Sequence, residues 1–156
     1  MSEMNFFSAN ASLADVAKLE VPELKLMYRI EMAGELFYNI LADRVGNETA
    51  ADLLRKNAVE ERGHARRLAR MISIKLGQEW EPTTDEAELL EVPLPETIDS
   101  RMFAAVVQGE LNGDVGYQRW AEAETDDEVV RLLRLNGREE TIHAGRAQQV
   151  FDLLNA

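Results

Sequence analysis

The sequence contains two segments that match each other at a constant offset of 79 residues, and this repeat constrains the fold more than any other feature. The matched positions include glutamate, tyrosine, asparagine and histidine, whereas two unrelated amphipathic segments would share only apolar positions. The pattern therefore indicates a duplicated structural unit, with its two copies related by an approximate two-fold axis. The matched pairs are Glu31 and Glu110, Gly34 and Gly113, Tyr38 and Tyr117, Ala42 and Ala121, Asn57 and Asn136, Glu60-Glu61 and Glu139-Glu140, and His64 and His143, together with Leu53-Leu54-Arg55 and Leu132-Leu133-Arg134.

Each copy has the pattern of a helical hairpin. Apolar residues recur at steps of three or four through residues 22–45 and again up to Gly77, which is the spacing of one helix face. Pro22 suits a first helical turn, and Gly46-Asn47 can end one helix and cap the next. The sequence therefore predicts an all-α protein, an antiparallel four-helix bundle made of two duplicated hairpins.

The domain organisation follows from this repeat and from the proline content between its copies. Residues 77–100 hold three prolines and many acids, so we expect a long crossover with a short helix at most around Asp85–Leu90. Ser12–Asp15 resembles a capping box that opens a short helix lying loosely on the domain, and Thr125–Glu128 resembles one that opens the last helix. The predicted single domain spans 1–156, with an N-terminal extension at 1–20, hairpin 1 at 22–76, the crossover at 77–100 and hairpin 2 at 101–155.

Composition excludes several classes of function. The chain has no cysteine, which excludes disulfides and thiolate metal sites, so any electrons would come from an external donor. The formal net charge of −12 makes nucleic acid an unfavourable partner. No apolar run reaches the ~18 residues of a membrane span, and the first ten residues lack a secretory pattern, so we expect no membrane partner and a cytoplasmic location.

The two histidines of the chain both follow a glutamate by three residues, in Glu61-x-x-His64 and Glu140-x-x-His143. At this spacing both side chains project from the same helix face. Each pair lies on the apolar stripe of its helix, so both pairs are predicted to point into the bundle.

Two further glutamates are expected at the same height. Glu31 lies 14 residues before the end of the first helix and Glu61 lies 13 residues after Glu48, so both are about 20 Å from the hairpin bend at ~1.5 Å per residue. Glu110 and Glu140 repeat these counts in the second hairpin. Six side chains are therefore predicted to meet at the middle of the bundle: Glu31, Glu61, His64, Glu110, Glu140 and His143.

Four buried carboxylates repel one another unless cations neutralise them, and two divalent ions would balance their charge. Oxygen and imidazole ligands suit iron or manganese, and zinc also accepts them. We expect two metal ions, with iron as the first choice. Glu35 and Asp114 lie one turn further on and are alternative ligands or neighbours of the ligands.

These residues resemble the ferritin-like di-iron carboxylate family, in which two helices each give a glutamate and two give Glu-x-x-His. The nearest likeness is to the rubrerythrin type over about residues 22–155, because a tyrosine follows the first ligand glutamate by seven residues. The resemblance implies terminal ligands at Glu31, Glu110, His64 and His143 and bridging ligands at Glu61 and Glu140. Tyr38 and Tyr117 lie on the site-facing stripe about two turns from these residues, so their hydroxyls are expected to bond to a ligand carboxylate or, alternatively, to be satisfied as those of core tyrosines. Two features of that type are absent: the extra glutamate, replaced by Gly113, and the cysteine-rich rubredoxin domain.

The other candidate residues are expected to pack the core, to lie on the solvated surface or to support the predicted metal ligands. Trp80 and Trp120 are interpreted as packing residues, and Arg66, Arg67 and Arg70 as a solvated face that pairs with nearby acids. Asn57 and Asn136 are candidates for orienting the ligands, while Gly34 and Gly113 would permit close helix approach or leave room beside the metals.

Several functions use such a site. The first hypothesis is an oxidase, ferroxidase or peroxidase that reacts with dioxygen or hydrogen peroxide and has no catalytic residues beyond the metal ligands. The alternatives are a protein that binds or delivers iron or manganese, a helical interaction module, and an oxygenase with an organic substrate. A homodimer is compatible with each of them.

Overall fold

The computed structural model describes residues 4–156 and has an all-helical architecture. Within that range the β-type pairing consists of one isolated bridge between Asn5 and Glu91. The all-α prediction is therefore confirmed. The helices are α1 at Phe6–Leu13, α2 at Val21–Arg44, α3 at Glu48–Leu76, α4 at Ser100–Ala123 and α5 at Asp127–Leu154.

The hairpin bends carry the expected helix caps. Gly46 has a φ of 70°, which suits glycine, and the Asn47 side chain then accepts a hydrogen bond from the Ala50 backbone N–H. In the second hairpin the N-cap is Asp126, which accepts from two backbone N–H groups of the first turn. The predicted start at Thr125 is wrong by one residue, because the Asp126 carboxylate accepts two bonds at once.

The two hairpins meet through α3 and α5, which pack side by side. In contrast, no Cα atom of α2 lies within 8 Å of a Cα atom of α4. One side of the bundle is therefore closed by direct helix packing, whereas α2 and α4 on the opposite side reach each other only through side chains.

The core is divided into two apolar clusters. One includes Leu24, Leu68 and Leu133, and the other, towards the opposite end of the bundle, includes Leu54 and Phe103. On α3, α4 and α5 the predicted ligands fall between the residues of the two clusters, and on α2 Glu31 lies at the edge of the first cluster, between Ile30 and Ala33. A polar layer thus crosses the middle of an otherwise apolar core.

The N-terminal helix differs from its prediction. α1 begins at Phe6 and not near Ser12, because Asn5 and Ser8 form a reciprocal capping box, and Ser12 lies in its last turn. The helix also does not lie loosely. The Phe6 ring stacks on Phe37 of α2 with centroids 5.2 Å apart, and α1 buries Ala9 completely.

The crossover follows the surface of α2. Residues 84–87 form a turn, so the short helix expected around Asp85–Leu90 is not present. Lys25 pairs with Glu86 at 2.8 Å, and Arg44 donates to the Pro95 carbonyl at 2.9 Å. Every helix in the described part of the chain is either too short or too polar to span a bilayer.

Candidate metal centre

The structure brings all six predicted side chains together in the polar layer, with ligand atoms contributed by α2, α3, α4 and α5. Both histidines are fully buried. Glu31, Glu61 and Glu140 are at most 8% exposed, and the Glu110 side chain is 12% exposed. The six ionisable groups therefore form a cluster that is almost fully shielded from solvent.

The two Glu-x-x-His pairs form the centre of the cluster. One ligand atom from each of the four residues lies within 4.8 Å of the others. His64 Nδ1 is 3.0 Å from Glu140 Oε1, and His143 Nδ1 is 2.7 Å from Glu61 Oε1. Each imidazole thus faces the glutamate of the opposite hairpin, and both Nδ1 atoms point to the same centre.

The remaining two glutamates lie on either side of this centre. Glu31 Oε2 is 3.2 Å from His64 Nδ1, and Glu110 Oε2 is 3.8 Å from His143 Nδ1. Each half of the centre therefore holds one histidine and one outer glutamate, with Glu61 and Glu140 between the halves. This arrangement follows the two-fold symmetry of the repeat.

Two tyrosines hold the outer glutamates across the bundle. The Tyr117 hydroxyl donates to Glu31 Oε1 at 2.8 Å, and the Tyr38 hydroxyl donates to Glu110 Oε1 at 2.5 Å. Each bond joins the two hairpins and leaves the second carboxylate oxygen of the glutamate directed at the centre. The hydroxyls therefore orient both outer carboxylates.

The alternative candidates Glu35 and Asp114 lie outside the cluster. Glu35 accepts a bond of 2.6 Å from Arg62, and Asp114 accepts one of 2.5 Å from Thr141. Both carboxylates are engaged with surface partners of the adjacent helix. They are neighbours of the site and not members of it.

The outer nitrogen of each imidazole bonds to a carboxylate that the sequence-based interpretation did not single out. His64 Nε2 is 3.0 Å from Glu139 Oε1, and His143 Nε2 is 3.1 Å from Glu60 Oε1. A carboxylate at this position fixes the tautomer and the orientation of a metal-binding imidazole. The repeat could have indicated this role, because Glu60 and Glu139 match each other together with the predicted ligands Glu61 and Glu140. A glutamate that only faced solvent would not be expected to match in this way.

Each of these carboxylates is held in turn by an arginine. Arg67 donates to both oxygens of Glu139 at 2.8 and 3.1 Å, and Arg146 contacts both oxygens of Glu60 at 2.8 and 3.2 Å. Arg67 therefore departs from the expected solvated face, since its side chain is only 27% exposed. Arg67 and Arg146 also stand at the repeat offset of 79, which could have revealed their common role.

The two matched asparagines form hydrogen bonds both with these arginines and with the helices that carry the histidines. Asn57 accepts from Arg146 at 2.9 Å and donates to the His143 carbonyl at 3.2 Å. Asn136 makes the equivalent contacts with Arg67 and with the His64 carbonyl. The asparagines therefore act on the backbone that carries the histidines.

The two matched glycines leave space for the central carboxylates. A Cβ atom on Gly34 would lie 2.6 Å from Glu61 Oε2, and one on Gly113 would lie 2.9 Å from Glu140 Oε2. Both distances are shorter than a normal contact. The glycines thus allow the central glutamates to adopt their observed positions.

Burial dominates the protonation of the central carboxylates. It raises the pKa of Glu61 well above the ordinary value of 4.5, and the charges of Glu31 and Glu140 raise it further. Burial also raises the pKa of Glu110 and that of Glu140. For Glu31 the burial is outweighed by bonds to His64, Glu61 and Tyr117, and its pKa falls to about 2.

The two histidines have pKa values shifted in opposite directions. Burial lowers the pKa of His64, but its contacts with Glu139, Glu140 and Glu31 outweigh burial and raise the pKa to about 12. Burial lowers the pKa of His143, and the positive charge of His64 adds to that effect. One proton on His64 therefore neutralises part of the carboxylate charge when no cation does so.

Four buried atoms of the cluster make no hydrogen bond: Glu61 Oε1, Glu110 Oε2, Glu140 Oε1 and His143 Nδ1. The close approaches of His143 Nδ1 to Glu61 Oε1 and of His64 Nδ1 to Glu140 Oε1 do not have hydrogen-bond geometry. Leaving a buried polar atom unpaired costs about 1–3 kcal/mol, and more when the group is charged. All four atoms face the same centre and belong to residue types that bind divalent metals. The donor set therefore fits a pair of cations.

A comparison of the sequence with models of known protein families identifies the family of this chain. A family model described as Rubrerythrin matches residues 23–151. The chain belongs to the rubrerythrin family. The match covers all four long helices except the first two residues of α2 and the last turn of α5, and thus both halves of the centre. The predicted family and the ferritin-like fold are confirmed.

Comparisons with curated proteins and with solved structures found no significant match. Membership of the rubrerythrin family and the buried cluster together support metal binding by this protein. The roles of the individual ligands stay predictions, as does the identity of the metal.

The raised pKa values predict how the stability of the metal-free protein depends on pH. Glu61, Glu110 and Glu140 stay protonated in the folded state above pH 4.5, where the unfolded chain has lost those protons. The free energy of unfolding should therefore fall as pH rises above the ordinary glutamate value of 4.5. The lowered pKa of His143 opposes this fall below pH 6.5, and the raised pKa of His64 adds to it above that pH. Urea unfolding of chelator-treated protein measures this slope.

Adding Mn²⁺ should raise the urea midpoint most at the higher pH, because the metal favours the deprotonated ligands. The variant Glu61→Gln should flatten the slope of the metal-free protein, whereas Glu79→Gln at an exposed position should not. A midpoint that rises with pH in the metal-free protein would contradict the assigned protonation.

The carboxylates behind the imidazoles generate a second prediction. Glu60→Gln and Glu139→Gln should each weaken metal binding by about 10–100-fold, because the neutral amide orients the imidazole less firmly and lowers its basicity. Anaerobic competition with a chromophoric chelator measures the affinity. Glu122→Gln, on the exposed side of α4, is the matched control, and an unchanged affinity in both test variants would remove this role.

Proposed function

We propose that this protein binds two iron ions among the four carboxylates and two imidazoles and uses them to react with dioxygen or hydrogen peroxide. The strongest support for this proposal is that buried carboxylate and imidazole atoms, four of them without a hydrogen bond, converge on one two-fold symmetric centre. Four carboxylates and two divalent ions balance in charge, so the cations remove the repulsion that burial creates. Bound iron would supply one-electron redox chemistry at this centre.

Iron is preferred on the basis of the ligands. The set is rich in carboxylate oxygen, contains two imidazoles and has no thiolate, which suits iron or manganese better than the softer metals. Zinc has no redox chemistry, so a zinc-loaded protein would have no oxidase or peroxidase activity. By its likeness to the family, the chain would use Glu61 and Glu140 as bridging ligands and the other four residues as terminal ligands.

The surrounding residues of the chain keep the ligands in position. Tyr38 and Tyr117 hold the outer carboxylates, while Glu60 and Glu139 hold the imidazoles with Nδ1 directed inward. Held in this way, the ligands need little rearrangement when the charge of the metals changes. The chain has no cysteine for a sulfur-ligated redox centre, so the proposal includes an external electron donor.

The test is anaerobic loading with Fe²⁺ followed by stopped-flow absorbance after addition of dioxygen or, separately, hydrogen peroxide. We expect a near-ultraviolet absorbance change whose amplitude saturates at two iron ions per chain. Reduction should restore the initial spectrum and allow a second cycle. Stoichiometric uptake without an oxidant-dependent change would instead favour a protein that binds or delivers iron.

The double variant Glu61→Ala and His64→Ala should lose stoichiometric metal and the absorbance change, and Glu61→Gln tests the same role with a smaller change in shape. The matched control is Glu128→Ala with Arg131→Ala, an exposed pair at the same spacing on α5. Circular dichroism verifies that each variant folds. Unchanged metal content in the first double variant would reject the ligand set.

A further inference from the structure

The open side of the bundle contains a cavity of about 720 Å³. It lies between α2 and α4, whose backbones stay apart, and the residues of α1 form part of its wall. The Phe6 ring, which stacks on Phe37, is one of these wall residues. The N-terminal helix therefore helps to enclose the space between the two hairpins.

The cavity reaches the candidate metal centre from one side only. The carboxylates of Glu31, Glu61, Glu110 and Glu140 line it, whereas neither imidazole does. The imidazole side is closed by the Glu60–Arg146 and Glu139–Arg67 pairs. A molecule in the cavity would therefore lie directly against the carboxylate side of the centre.

The wall offers mainly apolar contacts. Met27, Ile30, Phe37, Val106 and Trp120 contribute to it. The polar side chains that line the cavity away from the centre already have partners within the chain. Asn10 donates to the Phe6 carbonyl, Arg119 donates to the Ala14 carbonyl, and Asn112 accepts from Gln108.

The cavity is much larger than a small oxidant requires. One water molecule occupies about 30 Å³ of liquid, so the volume corresponds to roughly 24 molecules of that size. Pockets for organic ligands span about 300–1,000 Å³ and have mostly apolar walls with a few polar groups. Both the size and the lining fall within that class.

We propose that this cavity binds a small, predominantly apolar organic molecule, with one end against the carboxylates of the centre. Exposed apolar residues at the rim, Phe7 at 44% and Val115 at 65% exposure, provide an apolar entrance. A second copy of the chain would cover that entrance but would not fill a space that extends to Glu61 and Glu140. The binding does not depend on the metals, so it is testable even if the proposed redox function fails.

The test uses metal-free protein and the fluorescence of Trp120, which lines the cavity. Trp80 lies outside the cavity lining, against Tyr28, so Trp80→Phe leaves a single reporter at the site. A series of n-alkanols from butanol to decanol serves as the probe. We expect a saturable change in emission, with a Kd that falls about fourfold per added methylene until the chain outgrows the cavity.

Two variants narrow the cavity without touching the ligands. Gly109 lines it, and a Cβ atom there would meet no atom within 4 Å, so Gly109→Leu should fit and weaken decanol binding at least tenfold; Ala105→Phe should do the same. The matched control is Gly145→Leu on α5, where a Cβ also meets nothing and which lies outside the cavity. It should leave the affinity unchanged.

Two outcomes would overturn the proposal. One is the absence of saturable alkanol binding, and the other is a Kd that neither variant changes. Sedimentation of the same samples tests the competing occupant: a dimer that Ala105→Phe dissociates, without alkanol binding, would assign this face to a second copy. Stopped-flow oxidation of the iron-loaded protein is measured separately, so the two proposals fail independently.

Discussion

The rest of the structure depends on one electrostatic constraint, the burial of four carboxylates and two imidazoles in the middle of an apolar bundle. Removing the charge of a carboxylate from water costs several kcal/mol, and burial therefore raises the pKa of Glu61, Glu110 and Glu140. The protein reduces this cost through tyrosine hydroxyls, a proton on His64 and short contacts between the hairpins. Four buried ligand atoms still make no hydrogen bond, and the proposed pair of cations would bind them together.

The centre has two different sides, and the difference follows from how the hairpins pack. α3 and α5 approach closely, so the imidazoles they carry are backed by Glu60 and Glu139 and sealed by arginines. α2 and α4 stay apart, so the carboxylates face a cavity. The closed side fixes the orientation of the imidazoles, while the open side exposes the carboxylates to the cavity. On both sides of the centre, the residues of one hairpin are related to those of the other by the approximate two-fold symmetry of the repeat.

The helices and the convergence of the six groups could be predicted because both depend on local periodicity and on distances counted from a bend. The start of α1 could not, since it depends on the stacking of Phe6 on Phe37 and on a capping box, Asn5 with Ser8, that lies outside the usual residue pattern. The role of Arg67 was missed because its partner Glu139 belongs to the other hairpin. The cavity depends on the separation of α2 and α4, which no pattern within one helix encodes.

The central claim is tested most directly by anomalous X-ray scattering from crystals of the protein loaded anaerobically with Fe²⁺. The account predicts two peaks inside the bundle, one beside Glu31 and His64 and the other beside Glu110 and His143. Each imidazole should contact its ion through Nδ1, with Glu61 and Glu140 between the ions. A single peak, or peaks confined to surface carboxylates, would contradict the account.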